Sequence, residues 1–253
     1  MTKNLSILFV GESCFATSTE HKGINSFTET NYYEAAAIMK ALFTNLGHRV
    51  THIPCHRVTR DYPKTAEALR DYDVVIFSDV GSDTFLLLPE MVRTGKRVPN
   101  LLKLTRDYVE QGGGFCMIGG YMTFQGFSAK GKWKRTHIED ILPVTMLEGD
   151  DRCELPEGAD LSCAPDSHSI LKGLPAAWPY ILGYNRLIAK GGAQTLVSFQ
   201  GDPIIAAGTY GKGRSLAYAT DCTPHWAPPA MHGWEHYPTL WNNIVTWLSG
   251  SRN

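Results

Sequence analysis

The segment Gln111-Gly-Gly-Gly-Phe-Cys-Met-Ile-Gly-Gly-Tyr-Met-Thr-Phe124 restricts the fold more than any other part of the chain. Three glycines end a helix-like stretch, the apolar run Phe115–Ile118 follows, and a second glycine pair turns the chain sharply. A helix, a glycine break, a buried strand and a glycine turn together describe an inner strand of a parallel α/β sheet. Ligands of such sheets gather at the carboxyl ends of the strands. Chemistry is therefore expected first at Gly119-Gly120-Tyr121.

The flanking sequence repeats this pattern. Leu5–Val10 reads as a first strand, closed by Gly11-Glu12-Ser13, and the polar stretch Gly11–Thr30 reads as a long loop, of a length that is usually functional or disordered. Asn31–Leu46 reads as a helix stopped by Gly47. His48–Ile53 is a second strand, Tyr62–Tyr72 a short helical crossover and Asp73–Asp79 a third, central strand. Asn100–Gln111 has helical spacing with Asn100 as N-cap. The alternation β-α-β-α-β-α-β implies a parallel sheet with right-handed crossovers.

Beyond Phe124 the pattern is less regular. Leu142–Met146 and Thr195–Phe199 look like strands, and His168–Leu174 looks like a helical turn. Asp202–Tyr210 and Ser215–Asp221 form a hairpin around Gly211-Lys-Gly-Arg214. That turn lacks the frame and following helix of a phosphate-binding loop. Tyr237–Leu248 is a closing amphipathic helix. No linker is evident, so residues 1–253 are expected to form a single domain.

Composition removes several function classes. The 253 residues are 43% hydrophobic with a formal net charge of −1 and no run of like charges, so neither a nucleic acid nor an anionic membrane is an expected partner. Met1–Val10 carries too short an apolar run for a secretory signal, and no stretch approaches the roughly 20 apolar residues of a membrane span. The six cysteines (14, 55, 116, 153, 163 and 222) form no CxxC pair. Reduced thiols in the cytoplasm are expected rather than a disulfide framework or a zinc knuckle.

The order of Asp73-Val-Val-Ile-Phe-Ser-Asp79, Gly112–Tyr121, Tyr210-Gly-Lys-Gly-Arg214 and Asp221-Cys-Thr-Pro-His-Trp226 resembles the class I glutamine amidotransferase-like superfamily. More narrowly, it is similar to a bacterial group of amidotransferase-like proteins of undefined activity. The resemblance covers most of the chain and implies a flavodoxin-like three-layer α/β sandwich with a mainly parallel sheet, here with a β-rich insertion in its second half. Active members of the superfamily place a cysteine on the turn after the inner strand. A late-strand histidine activates it, a carboxylate two residues beyond orients that histidine, and backbone amides hold the oxyanion. On that pattern Gly119 occupies the place of the cysteine. His225 matches the histidine, and Ala227 stands where the carboxylate belongs. Ordinary glutaminase chemistry is therefore not expected. Cys116, three residues earlier, is expected to be a buried strand residue.

The catalytic candidates are His225, Asp221 and Glu12. His225 follows a strand's carboxyl end and could move a proton near neutral pH, or merely pack on Trp226. Asp221 could orient His225 or Arg214, or cap its own turn. Glu12 ends the first strand, where cysteine-dependent relatives carry a functional glutamate. Candidates for binding are Asp79, Gly81, Gly119, Gly120, Tyr121 and Trp226. Asp79 could equally be a turn former, and Tyr121 could simply pack. His21, His225, His232 and His236 have no ligand-like spacing, so no metal is expected, and no cofactor either. The leading expectation is an amidotransferase-like protein without the elbow cysteine that binds or transforms a small polar metabolite at the sheet edge. The alternative is a non-catalytic interaction module that self-associates as a homo-oligomer. A glutaminase using Cys116 or Cys14 from a displaced position ranks last.

Overall fold

A computed structural model describes residues 4–250. Its centre is an eight-stranded sheet in the order Arg49–Ile53, Ser6–Gly11, Val74–Ser78, Gly114–Ile118, Gly213–Tyr218, Asp202–Tyr210, Gln194–Phe199 and Ser162–Cys163. The first five are mutually parallel, and the last three continue antiparallel. Val74–Ser78 and Gly114–Ile118 are buried at every residue, as their unbroken apolar sequence requires of strands covered on both faces.

Helices close both faces. Leu101–Glu110 is capped by Asn100, whose Oδ1 accepts the Lys103 amide at 3.0 Å. Tyr237–Ser249 closes the chain and buries Leu240, Trp241, Ile244, Val245 and Leu248. One hydrophobic cluster runs from Leu5 to Leu248. Within it Phe77 stacks on Phe85 at 4.5 Å, and Tyr62 and Trp133 close the aromatic group. The β-rich insertion pairs Arg152–Ala159 with Ile181–Asn185 and Val144–Met146 with Leu187–Ala189.

Four expectations need correction. Gly11–Thr30 is not an irregular loop. It begins a hairpin arm whose strands, Ser13–Lys22 and Asn25–Glu34, pair along ten residues each. The helix expected from Asn31 consequently starts only at Ala37. Asn31–Glu34 is spent on the arm, and the amides of Ala35 and Ala36 are held by Glu12 O at 3.0 and 3.2 Å. Within the crossover expected at Tyr62–Tyr72 only Ala66–Leu69 is helical, and a separate short helix, Val58–Asp61, precedes it, because Pro63 cannot continue a helix through Tyr62. Finally, the strand expected to reach Asp221 ends at Tyr218.

Candidate functional site

The first strand pairs with both the second and the third, so the chain reverses its direction of growth between Ser6–Gly11 and Val74–Ser78. This is the topological switch point, where an open α/β sheet leaves a crevice beyond its carboxyl ends. Glu12 and Asp79 are the residues that follow these two strands. The Glu12 amide donates to Ser78 O at 2.9 Å, so the two chain ends stay joined one step past the sheet. Both residues adopt left-handed backbone, with φ of 52° and 43°. Such strain in non-glycine residues concentrates where surrounding structure over-determines a site.

A buried hydrogen-bonded chain connects the acids. Ser78 Oγ donates to Glu12 Oε2 at 2.5 Å. Thr223 Oγ1 lies 2.9 Å from Glu12 Oε1 and 3.1 Å from Asp221 Oδ1. A hydroxyl has one proton, so it cannot donate to both carboxylates. The arrangement closes when one acid is protonated and donates to Thr223, which passes its own proton to the other. Burial gives the same result: it pushes the Glu12 carboxyl up to about 7, aided by the Asp79 charge and opposed by the Ser78 and Thr223 hydroxyls. Asp221 is raised well above the ordinary carboxylate range by burial and by the charges of Glu12 and Asp79. Asp79 is raised by burial too, against the pull of the Met122 and Tyr121 amides and of His225. Glu12 and Asp221 are buried, whereas Asp79 keeps partial contact with solvent.

The glycine turn lies over this cluster. A Cβ built on Gly119 would come within 2.2 Å of Ala219 O, and one on Gly120 (φ 154°) within 2.8 Å of Asp79 Oδ1. Gly120 is clamped on both sides by Asn185, whose Oδ1 accepts its amide at 3.0 Å and whose Nδ2 donates to its carbonyl at 3.2 Å. Asn185 Nδ2 also donates to Asp151 Oδ1 at 2.8 Å, and the Asp151 carboxylate takes the Gln125 and Gly126 amides at 2.8 Å each. Asp79 Oδ1 accepts the Met122 amide at 2.7 Å. The Asp79 carboxylate thus occupies the Tyr121 and Met122 amides that follow the glycine pair.

His225 stands at the rim. It is exposed, with φ of 129°, and its Nε2 lies 3.3 Å from Tyr121 Oη and 3.7 Å from Glu154 Oε2. Tyr121 donates to Glu154 Oε1 at 2.9 Å, and Trp226 Nε1 donates to Oε2 at 2.9 Å. The Arg152 guanidinium spans the Tyr121 and Phe127 rings at 4.6 and 4.1 Å.

These positions bring Glu12, Asp221, Gly119 and Gly120 into one buried layer with the half-buried Asp79 at its border, and leave His225 and Tyr121 outside it. Two binding candidates are not brought in. Trp226 is fully buried behind Glu154, so its ring is a wall. Gly81 packs beneath the backbone of Lys130 and Gly131 and the Met122 side chain. Asp221 does not orient His225 or Arg214. It accepts the Thr223 amide at 3.0 Å and caps its own turn, while Arg214 donates to Trp247 O. The neighbours of His225 are Tyr121, at hydrogen-bond distance, and Glu154, from the insertion. Ser78, Thr223, Asn185, Asp151, Arg152 and Glu154 escaped the sequence reading. Ser78 and Thr223 adjoin motif residues and could have been found there; the other four belong to the irregular insertion and carry no local signal.

Glu12, Asp221 and Cys222 form the group whose metal-ligating atoms lie within 4.8 Å of one another; none of the four histidines named above belongs to it. All six cysteines are free. Cys116 and Cys222 are buried, with thiols pushed up by burial. Cys55 is pushed up to about 11 for the same reason.

A parallel sheet with a topological switch point, prolonged by an antiparallel edge, defines the flavodoxin-like α/β architecture of class I glutamine amidotransferase-like proteins. Residues 6–250 match the family described as "Putative glutamine amidotransferase", and the chain belongs to it. Two solved relatives from Salmonella typhimurium support this. Cytoplasmic protein STM1381, of strain LT2, is 42% identical over 96% of this chain and 99% of its own, with a TM-score of 0.92. Cytoplasmic protein STM3548 is 36% identical over 96% and 98%, also with a TM-score of 0.92. A ThuA-like protein of Parabacteroides merdae shares the fold alone, at 15% identity and a TM-score of 0.59 over 98% of this chain and 90% of its own. No curated protein matches. No helix among the described residues is long and apolar enough to cross a membrane.

Proposed function

We propose that the protein binds a small polar metabolite at the switch-point crevice and exchanges a proton with it, without the covalent chemistry of a glutaminase. The carrying observation is the acid chain Ser78–Glu12–Thr223–Asp221, in which the single Thr223 hydroxyl stands within hydrogen-bond reach of two buried carboxyls. Glu12, pushed up to about 7, is poised to give or take a proton at neutral pH, the condition for efficient general acid–base catalysis. In this reading Asp79, the partly exposed acid, meets the ligand first. His225 and Tyr121 form the mouth, and Arg152 and Glu154 hold them. The ligand class is one with amino or hydroxyl groups, which can donate to carboxylates. The cytoplasm is the proposed compartment, supported by the free cysteines and the descriptions of the two Salmonella relatives.

Glutaminase chemistry is disfavoured at Gly119, Cys116 and Cys14. Gly119 has no side chain and no space for one. Cys116 is wholly buried, and Cys14 is exposed on the arm. A non-catalytic interaction module remains the second reading, favoured by one observation, the exposed hairpin arm.

A thermal-shift screen of sugars, amino acids, nucleotides and divalent cations tests the proposal. It is run in parallel on the wild type, Glu12→Gln and His225→Ala. A ligand that raises the wild-type melting temperature by several degrees and loses most of that shift in both variants supports a site at this edge. A library that moves none of the three proteins, or moves all three equally, removes the small-molecule reading.

A further inference from the structure

The arm formed by Ser13–Lys22 and Asn25–Glu34 has no part in the crevice chemistry. At roughly 3.4 Å per residue its ten-residue strands reach about 34 Å from the body. Every residue from Cys14 to Tyr33 is exposed, including Phe15, Phe27, Tyr32, Tyr33 and, at the tip, Ile24 with full exposure. A two-stranded ribbon on its own is marginal in water, and both of its edges offer unpaired backbone groups. Five large apolar side chains on such a ribbon call for a covering surface.

The two faces of the arm differ. Phe15 and Tyr32 pair across the strands, and at the base their rings meet His56 of the body at 5.1 and 5.3 Å. Beyond them this face is a threonine ladder, with Thr17 against Thr30 and Thr19 against Thr28, hydroxyls 3.0 Å apart. The opposite face carries the pairs Cys14–Tyr33, Ala16–Asn31, Ser18–Glu29, Glu20–Phe27 and Lys22–Asn25. It is aromatic and carries two glutamates against one lysine, Lys22, which lies 3.5 Å from Glu20 and over the Phe27 ring at 5.2 Å. Residues 13–34 contain three glutamates and one lysine.

A matching surface exists on the same chain. Helix Pro89–Thr94 and the segment after it expose Val92, Arg93, Lys96 and Arg97, with Leu87 exposed just before. Among the described residues none of these three cations belongs to an ion pair. An apolar and acidic ribbon and an apolar and basic patch on one polypeptide are self-complementary.

We infer that the arm docks on a second copy of this chain, its Phe27/Glu20/Glu29 face lying on the Val92–Arg97 patch of that copy, in a reciprocal exchange. The area agrees. A ribbon about 34 Å long and two strands wide has a flat face of roughly 340 Å². Two exchanged arms, each covering an equal patch, bury about 1,400 Å² in total, within the range of specific interfaces. The exchange is isologous and closes as a two-fold dimer rather than a filament. It also bears on the crevice. Both ends of the arm are tied to Glu12, whose carbonyl holds the Ala35 and Ala36 amides, so docking fixes the backbone from which the Glu12 carboxyl is hung.

Sedimentation velocity on the full chain, from about 0.1 µM to on the order of 100 µM, tests this. The wild type sediments as a dimer at the upper concentrations, and salt weakens it because charge pairs contribute. Glu20→Lys/Glu29→Lys and, separately, Arg93→Glu/Lys96→Glu weaken it about tenfold or more, by setting like charges against each other. The chain carrying all four changes regains dimerisation to within about threefold of the wild type. All four positions are exposed, and an unchanged circular dichroism spectrum and melting temperature in dilute solution certify the fold. A wild type that stays monomeric throughout, a dimer indifferent to the arm variants, or a fourfold variant that does not recover overturns the inference.

Discussion

Glu12 joins two regions built on opposite rules. Its side chain enters the crevice, where Ser78, Thr223, Asp221 and Asn185 are buried and each polar group has a partner. Its main chain leads directly into an arm whose residues 14–33 all face solvent. In the crevice each atom is fixed by several others, and a polar group that loses its partner cannot turn to water instead. Along the arm water satisfies whatever the protein does not. The difference teaches where this fold is intolerant: at a few positions just past the carboxyl ends of the strands, not in proportion to distance from the core.

The largest effect should come from the turn. Adding a methyl group as Gly119→Ala places Cβ against the Ala219 carbonyl, with main chain rather than a movable side chain in the way. We expect a loss of about 3 kcal/mol or more, read as a fall of roughly 6–12 °C in a calorimetric melting temperature for a chain of this size. A variant melting within a degree of the wild type would mean the crevice yields far more than its contacts imply.

The second effect concerns charge and has a defined sign. Glu12 rises from 4.5 to about 7 on folding. The folded protein therefore holds a proton that the unfolded chain has released between those values, and this group's contribution to stability falls as pH rises through that window. A shift of this size corresponds to on the order of 3 kcal/mol. Glutamine mimics the protonated acid, so Glu12→Gln should flatten the decline in stability from pH 5 to pH 8 measured by urea unfolding. Parallel profiles for the two proteins would show that Glu12 ionises freely and would weaken its assignment as a proton carrier.

The smallest effect belongs to the arm. Ile24→Asp, at the fully exposed tip, should change stability by less than about 0.5 kcal/mol in dilute protein. A larger loss would show that the arm supports its own body, and would blur the contrast between the two regions.

The parallel core was legible because its signals are local. Val74–Ser78 and Phe115–Ile118 are apolar without interruption, and Asn100 and Gly47 mark helix ends within a few residues. Glu12, Asp79 and the glycine turn were legible for a related reason: each follows directly on a readable strand, Asp221 lies three residues past the end of another, and the sheet brings strand ends together. Glu154, Asp151 and Asn185 were not, because their roles depend on contacts across 25 to 72 positions, as between Asp151 and Gly126 or Glu154 and Trp226. The arm was misread for want of an alternating apolar pattern. Ser13-Cys-Phe-Ala-Thr-Ser-Thr-Glu-His-Lys22 has no face to bury in its own fold, and pairing partners twenty residues apart leave no mark in such a sequence. Tyr32 and Tyr33 were absorbed into a helix by the alanines that follow them.

The amide of Asn185 meets Gly120 with an acceptor and a donor at once. In shape and pattern it stands in for a peptide unit of a neighbouring strand, supplied by a side chain where the sheet has no strand to offer. Aspartate cannot reproduce it for want of a donor, and glutamine is one carbon too long. The course of the central turn is thus written partly in the irregular insertion. Removing Ile181–Asn185 would therefore release the turn as well, although the two segments lie more than sixty residues apart in the chain.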